Sequence, residues 1–148
     1  VTALSLAIEV PCRIKLIDEH ALTPTYAHDG DAGADVYAIA PTLILPGETQ
    51  SVDLGIAIEL APGYWAEMRP RSSQAKRSIH VSAPPIDWGY RGRISAIISN
   101  YGEDPYRISL HDRIGQMVVH VLHRARFTVV DELGSTTRNA GAFGSTGQ

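Results

Sequence analysis

The chain has 148 residues (16.0 kDa), with 44% apolar and 20% charged residues, proportions typical of one soluble globular domain. No apolar run approaches the length needed to cross a bilayer as a helix, so a helical membrane protein is excluded. The formal net charge of -3 argues against broad attraction to a nucleic-acid backbone, and no direct nucleic-acid binding is expected. At the start of the chain, Leu4, Leu6, Ile8 and Val10 alternate with small or polar residues and lack the basic flank and continuous apolar core of a signal peptide. Residues 1–10 therefore read as a strand, and the protein as intracellular and cytoplasmic, in a host cell if virally encoded. Cys12 is the only cysteine, so no intrachain disulfide or Cys-based zinc site can form, and a buried or inert thiol is expected.

Further strands are predicted over 13–17, 51–60, 64–68, 94–99, 114–122 and 127–130, where β-branched or alternating apolar residues recur. Breakers such as Pro46-Gly47, Pro62-Gly63 and Asn100-Tyr101-Gly102 separate them, and no long stretch has helical periodicity. Many short strands at this spacing predict an all-β sandwich or barrel. From residue 134 the composition turns to Gly, Ser, Thr, Asn and Ala, with Arg138 and Phe143 the only large side chains. Such a tail cannot fold alone. Phe143 and Arg138 favour an arm that orders on a ligand, giving a division into a domain over 1–133 and an arm over 134–148.

Four sets of residues can carry chemistry. In Asp31-Ala32-Gly33-Ala34-Asp35, small residues allow close backbone approach and two carboxylates could hold a hard cation directly or through water, although acidic turns with Gly are usually only turns. Between Arg69 and Arg77, four cations and two hydroxyls, Ser72 and Ser73, crowd into nine positions and suit phosphate oxygens, a solvated basic face being the commoner meaning. Ile86-Asp87-Trp88-Gly89-Tyr90-Arg91-Gly92 places a carboxylate at the edge of a turn, able to act as general base for a water, with rings that can stack on a sugar. Ala142-Phe143-Gly144-Ser145-Thr146-Gly147 could wrap an anion in backbone N–H groups and hydroxyls. It is not a Walker A loop, because no Lys precedes Ser145 and no helix can follow. His120 and His123 are three apart and would point to opposite faces of a strand, so they and the other histidines read as structural or surface residues.

In order along the chain, these segments resemble the five motifs of the trimeric dUTPase family. Ala32-Gly33-Ala34-Asp35-Val36 resembles the first, Pro70-Arg71-Ser72-Ser73-Gln74-Ala75 the second and Ile86 to Gly92 the third. Asp112-Arg113-Ile114-Gly115-Gln116-Met117 resembles the fourth, and the stretch from Arg138 to Gly147 the glycine-rich fifth. The resemblance implies an all-β, jelly-roll-like β-barrel (a β-clip) with a flexible C-terminal arm, and a homotrimer whose sites are shared between subunits. It implies hydrolysis of dUTP to dUMP and pyrophosphate with Mg²⁺, which would limit uracil incorporation into DNA and supply dUMP. Asp87 would orient and deprotonate the attacking water, and Tyr90 would pack under the deoxyribose. Asp35 would hold waters of Mg²⁺. Arg71, Ser72, Ser73 and Gln116 would contact phosphates. Ala83 would lie in the uracil-reading hairpin and Phe143 would cover the base. Arg138, Gly144, Ser145 and Thr146 would close on the phosphates.

Several positions depart from that pattern. Ser73 and Gln74 stand where Gly and Leu are usual, and Asn139 and Ala142 where glycines are usual in the fifth motif. The hairpin Ser82-Ala83-Pro84-Pro85 has adjacent prolines that remove two backbone donors. Arg71-Ser72-Ser73 with His80-Val81-Ser82-Ala83 also resembles the related dCTP deaminases, whose pattern wants an Arg and a Glu where this chain has Lys76 and Ile97. A third reading is a non-enzymatic barrel that binds a nucleotide or a partner and uses the arm as a switch, which the retention of Asp87, Tyr90 and Phe143 disfavours as a sole role.

Overall fold

The computed structural model describes residues 8–141. Eleven elements follow in order: β1 (Cys12–Leu16), β2 (Gly33–Tyr37), β3 (Thr42–Ile44), β4 (Thr49–Leu60), β5 (Tyr64–Arg69), α1 (Ser72–Lys76), β6 (Ile79–Ser82), β7 (Ile86–Asp87), β8 (Ile94–Asn100), β9 (Tyr106–Ile108) and β10 (Arg113–Val121). All the strand pairs are antiparallel, in the orders β1-β4-β8-β6 and β2-β10-β5-β7, with β3-β9 as a separate pair. The expected all-β, jelly-roll-like fold is therefore present. Its hydrogen bonding does not run round a closed barrel: among the described residues the sheets keep open edges at β1, β6, β2 and β7.

Alternation along the strands builds the core. Leu54, Ile56 and Ile58 of β4 and Ala96 and Ile98 of β8 meet Val36, Met68 and Met117 of the other sheet, with Ile44 and Ile108 closing one side. Burial of such side chains contributes about 1.5–3 kcal/mol each. The two four-stranded sheets touch at Gly115, where a Cβ would lie 3.0 Å from Val81 Cγ1. No helix among the described residues is long and apolar enough to cross a membrane.

Three sequence expectations need correction. Residues 127–130 form no strand; Phe127 is 94% exposed and Val129 100%, and among the described residues no strand pairs with them. At the N-terminus, Leu4 and Leu6 lie outside the described residues, while Ile8 and Val10 are not in a strand and the first ladder begins at Cys12. Cys12 itself is exposed rather than buried, although desolvation still pushes its thiol pKa up and so keeps it protonated.

Candidate functional site

The first predicted set does not form a carboxylate pair. Asp31 turns back to accept the His28 N–H at 2.9 Å, whereas Asp35 lies within strand β2 and is buried. Among the described residues no group of three or more His, Cys, Asp or Glu side chains is arranged to hold a metal ion. Asp35 instead sits opposite Gln116 of β10, and three donors converge on it. Arg71 Nε reaches Oδ1 at 3.1 Å, Gln116 Nε2 reaches the same oxygen at 3.4 Å, and Arg113 Nη1 reaches Oδ2 at 3.5 Å. Gly33 makes room for this, since a Cβ there would lie 2.9 Å from Gln116 Cβ. Asp35, Arg71 and Gln116 are thus brought together, and Arg113, unselected in the sequence, joins them.

A short helix carries the second set. Arg71 is the N-cap of α1, and Ser72 and Ser73 occupy its first turn with exposed side chains. The basic run is divided between partners: Arg69 donates to Glu67 at 2.8 Å, Arg71 pairs with Asp35, and Arg77 lies 5.1 Å from the centroid of the Tyr106 ring. The Arg69 hydrogen bond, helped by one from His120, holds the Glu67 carboxyl below its ordinary range. His120 also stacks on Trp65, in keeping with a structural role.

The third set borders a cavity of about 380 Å³ between the hairpin joining β6 to β7 and strand β8. Ala83, Pro84, Pro85, Ile86, Ile94 and Ile97 give it mostly apolar walls; Tyr90, Arg93 and Ser95 supply the polar groups. Among the described residues neither a carboxylate nor an imidazole lines it. Tyr90 Oη donates to the Arg93 carbonyl at 3.1 Å, and Arg93 is itself anchored to Asp53, with Nε 2.5 Å from Oδ2. Asp87 follows Ile86 on β7, and its carboxylate is exposed and free of hydrogen bonds and ion pairs among the described residues.

Strand register separates Asp87 from the Asp35 cluster. On β5, Trp65 faces Asp87 while Arg69 faces Gln116. Four residues at about 3.3 Å each, and two strand spacings of about 4.8 Å between β7 and β10, put Asp87 roughly 16 Å from Gln116. Within one chain these two groups of predicted site residues do not meet.

The C-terminal segment leaves the body after Leu122, whose N–H donates to the Gly63 carbonyl at 2.8 Å. Residues 123–140 are exposed, and Arg138 donates through Nε to the Gly141 carbonyl in a local turn, with no hydrogen bond to another predicted site residue among the described residues. Phe143, Gly144, Ser145 and Thr146 lie outside the described residues.

Residues 19–147 match the dUTPase family model. The deoxyuridine 5'-triphosphate nucleotidohydrolases of Clostridioides difficile and Alkaliphilus metalliredigens (strain QYMF) are 41% and 44% identical to this chain over 138 residues, covering 91% of it and 96% of each relative. Among solved structures, the dUTPase of Staphylococcus bacteriophage 80alpha with dUPNHPP superposes with a TM-score of 0.85 at 23% identity, over 93% of this chain and 99% of that one. A mutant dUTPase of phage phi11 of S. aureus, with a coordinated structural Mg(II) ion, gives 0.77 at 20% identity, over 84% and 99%. These two likenesses concern the fold.

Proposed function

The chain belongs to the dUTPase family, and we infer that it hydrolyses dUTP to dUMP and pyrophosphate in sites completed by neighbouring copies of itself. The observation that carries the choice of reaction is the cavity beside Asp87. Its walls can hold a base and sugar, but they offer no carboxylate or imidazole to move protons on the base, and Ile97 stands where a deaminase would need Glu. Chemistry is thereby directed to the phosphate chain. Asp87, exposed and without a hydrogen-bond or ion-pair partner among the described residues, would take a proton from a water as that water's oxygen bonds to the α-phosphorus and pyrophosphate leaves with the former bridging oxygen.

Arg71, Ser72, Ser73 and Gln116 serve as the phosphate contacts, where guanidinium, hydroxyl and amide donors offset charge that develops during transfer. Tyr90 lies under the deoxyribose, and Ala83 in the hairpin faces uracil. Mg²⁺ supplies charge neutralisation at the triphosphate. Asp35 fits only an outer role towards it, since its oxygens already accept from Arg71, Gln116 and Arg113, so it would hold water of the ion's hydration shell.

A base must lie within hydrogen-bond reach of the water it activates. The roughly 16 Å between Asp87 and Gln116 along the sheet is too long for that within one chain, which supports a site pairing Asp87 of one copy with Arg71 and Gln116 of another. The exposed Phe127, Val129 and Leu133 support a homotrimer in which this segment packs on a neighbour. It would then deliver Arg138, Phe143, Gly144, Ser145 and Thr146, the arm of residues 134–148, to the neighbour's site. A cytoplasmic location accords with work on the free nucleotide pool.

The test is to offer each deoxynucleoside triphosphate and UTP with Mg²⁺ and identify the products. Formation of dUMP and pyrophosphate from dUTP alone is expected; ammonia release from dCTP would replace this reading with deamination.

A further inference from the structure

Gln74 stands where the family pattern has Leu, yet its side chain is only 3% exposed and its amide is bonded at both ends. Oε1 accepts the Arg71 N–H at 2.9 Å; Nε2 donates to Tyr106 Oη and to the Ile114 carbonyl, each at 3.0 Å. The Ile114 carbonyl belongs to a β-bulge. Arg113 pairs with Tyr37 and Gly115 with Val36, so Ile114 is the extra residue that the β2 ladder passes over. Ile114 is fully buried, and without Gln74 its carbonyl would lack that donor in a place water does not reach.

We propose that Gln74 is a positioning residue, locking the Arg71 turn to the β10 bulge so that Arg71 and Gln116 are held in one frame for the phosphates. This rests on the reading of Arg71 as a phosphate contact. The bulge sets the direction in which Arg113 and Gln116 leave β10, and both reach Asp35, as does Arg71. Gln74 therefore closes a loop of contacts: Arg71 to Asp35, Asp35 to Gln116, Gln116 along β10 to Ile114, and Ile114 back through Gln74 to Arg71. Leucine could fill the volume but would leave the Arg71 N–H, the Ile114 carbonyl and the Tyr106 hydroxyl without this partner.

The full-length enzyme is compared with Gln74→Leu, Gln74→Glu, Tyr106→Phe and Arg71→Ala, measuring kcat/KM for dUTP and competitive inhibition by pyrophosphate and by dUMP. For Gln74→Leu, which removes all three bonds, kcat/KM and pyrophosphate affinity are expected to fall about tenfold or more, while dUMP affinity changes little. Simple loosening of the core would weaken both inhibitors alike. For Gln74→Glu, a charged carboxylate would face the Ile114 carbonyl, so its activity relative to the parent should recover as pH falls from about 8 to about 6 and the buried acid takes up a proton. Tyr106→Phe removes one bond and should give a smaller loss of the same kind, which keeps the test open if Gln74→Leu does not fold. Should Arg71→Ala leave pyrophosphate inhibition intact, the phosphate reading of Arg71 fails and the lock with it. Should Arg71→Ala weaken it while the Gln74 and Tyr106 variants match the parent at every pH, the lock alone is overturned.

Discussion

The phenol ring of Tyr90 lies over Gly92, so closely that a Cβ at residue 92 would come within 2.5 Å of Tyr90 Cζ. The ring is fixed from the other side by its hydrogen bond to the Arg93 carbonyl. Gly92→Ala must therefore push the ring out of its place. If that ring excludes a 2'-hydroxyl by filling its space, the variant should lose preference for dUTP over UTP by about tenfold or more, equivalent to about 1.4 kcal/mol. Competition between the two nucleotides measures it directly. An unchanged preference would remove the Tyr90 ring position from sugar selection.

Asp87→Asn preserves size and the ability to hold a water, and loses the ability to accept its proton. Because the parent carboxylate has no partner among the described residues, the change should leave thermal stability within about 0.5 kcal/mol, as for most surface substitutions. Turnover should fall by about 10²-fold or more with KM little altered. Near-parental kcat would take the general-base role away from Asp87.

Asp35→Asn tests the junction of three donors. Arg71 and Arg113 would lose the negative charge that both approach, while the amide could still accept from Arg71. Arg113 is half exposed and partly screened, so the expected loss is about 1–3 kcal/mol rather than the larger penalty of a fully buried pair. Urea denaturation reads this, and kcat/KM should fall in parallel because Arg71 is held less firmly without the charge. If excess Mg²⁺ restored the rate while stability stayed low, Asp35 would act on the metal's hydration shell; parental stability would exclude it as the organiser of Arg71.

The long strands were legible because β4, β8 and β10 repeat β-branched residues over seven to twelve positions. The site was legible only as residue types. Asp35 read as part of an acidic turn because Gly33 and Ala34 carry little strand signal, and the partners that bury it lie 36, 78 and 81 positions away. Gln74 looked like a departure at an exposed basic run, its partners Tyr106 and Ile114 being equally remote. Helix α1, with five residues, is too short for periodicity to announce. At 127–130 the opposite error arose: strand-forming composition predicts a ladder, but a ladder needs an edge, and the described residues offer none there.

The proposed arm of fifteen residues, 134–148, can extend roughly 50 Å at the backbone's maximum reach, enough to cross to another copy. Deleting residues 138–148 removes Phe143, Ser145 and Thr146 and leaves the described core side chains in place, so in the proposed homotrimer the truncated chain should stay folded and assembled and lose most hydrolysis. Its Asp87 remains intact. Full-length Asp87→Asn chains have the complementary defect, an intact arm without the base. Coexpressed or refolded together, the two inactive chains should regain activity, because some interfaces then join a working Asp87 to a working arm. Sites completed within a single chain would leave every mixed trimer inactive, since each subunit carries one of the two lesions. Activity per trimer against the mixing ratio, with the composition of the trimers verified by mass, separates these architectures; verified mixed trimers that bind nucleotide and stay inactive would rule out arm donation between subunits.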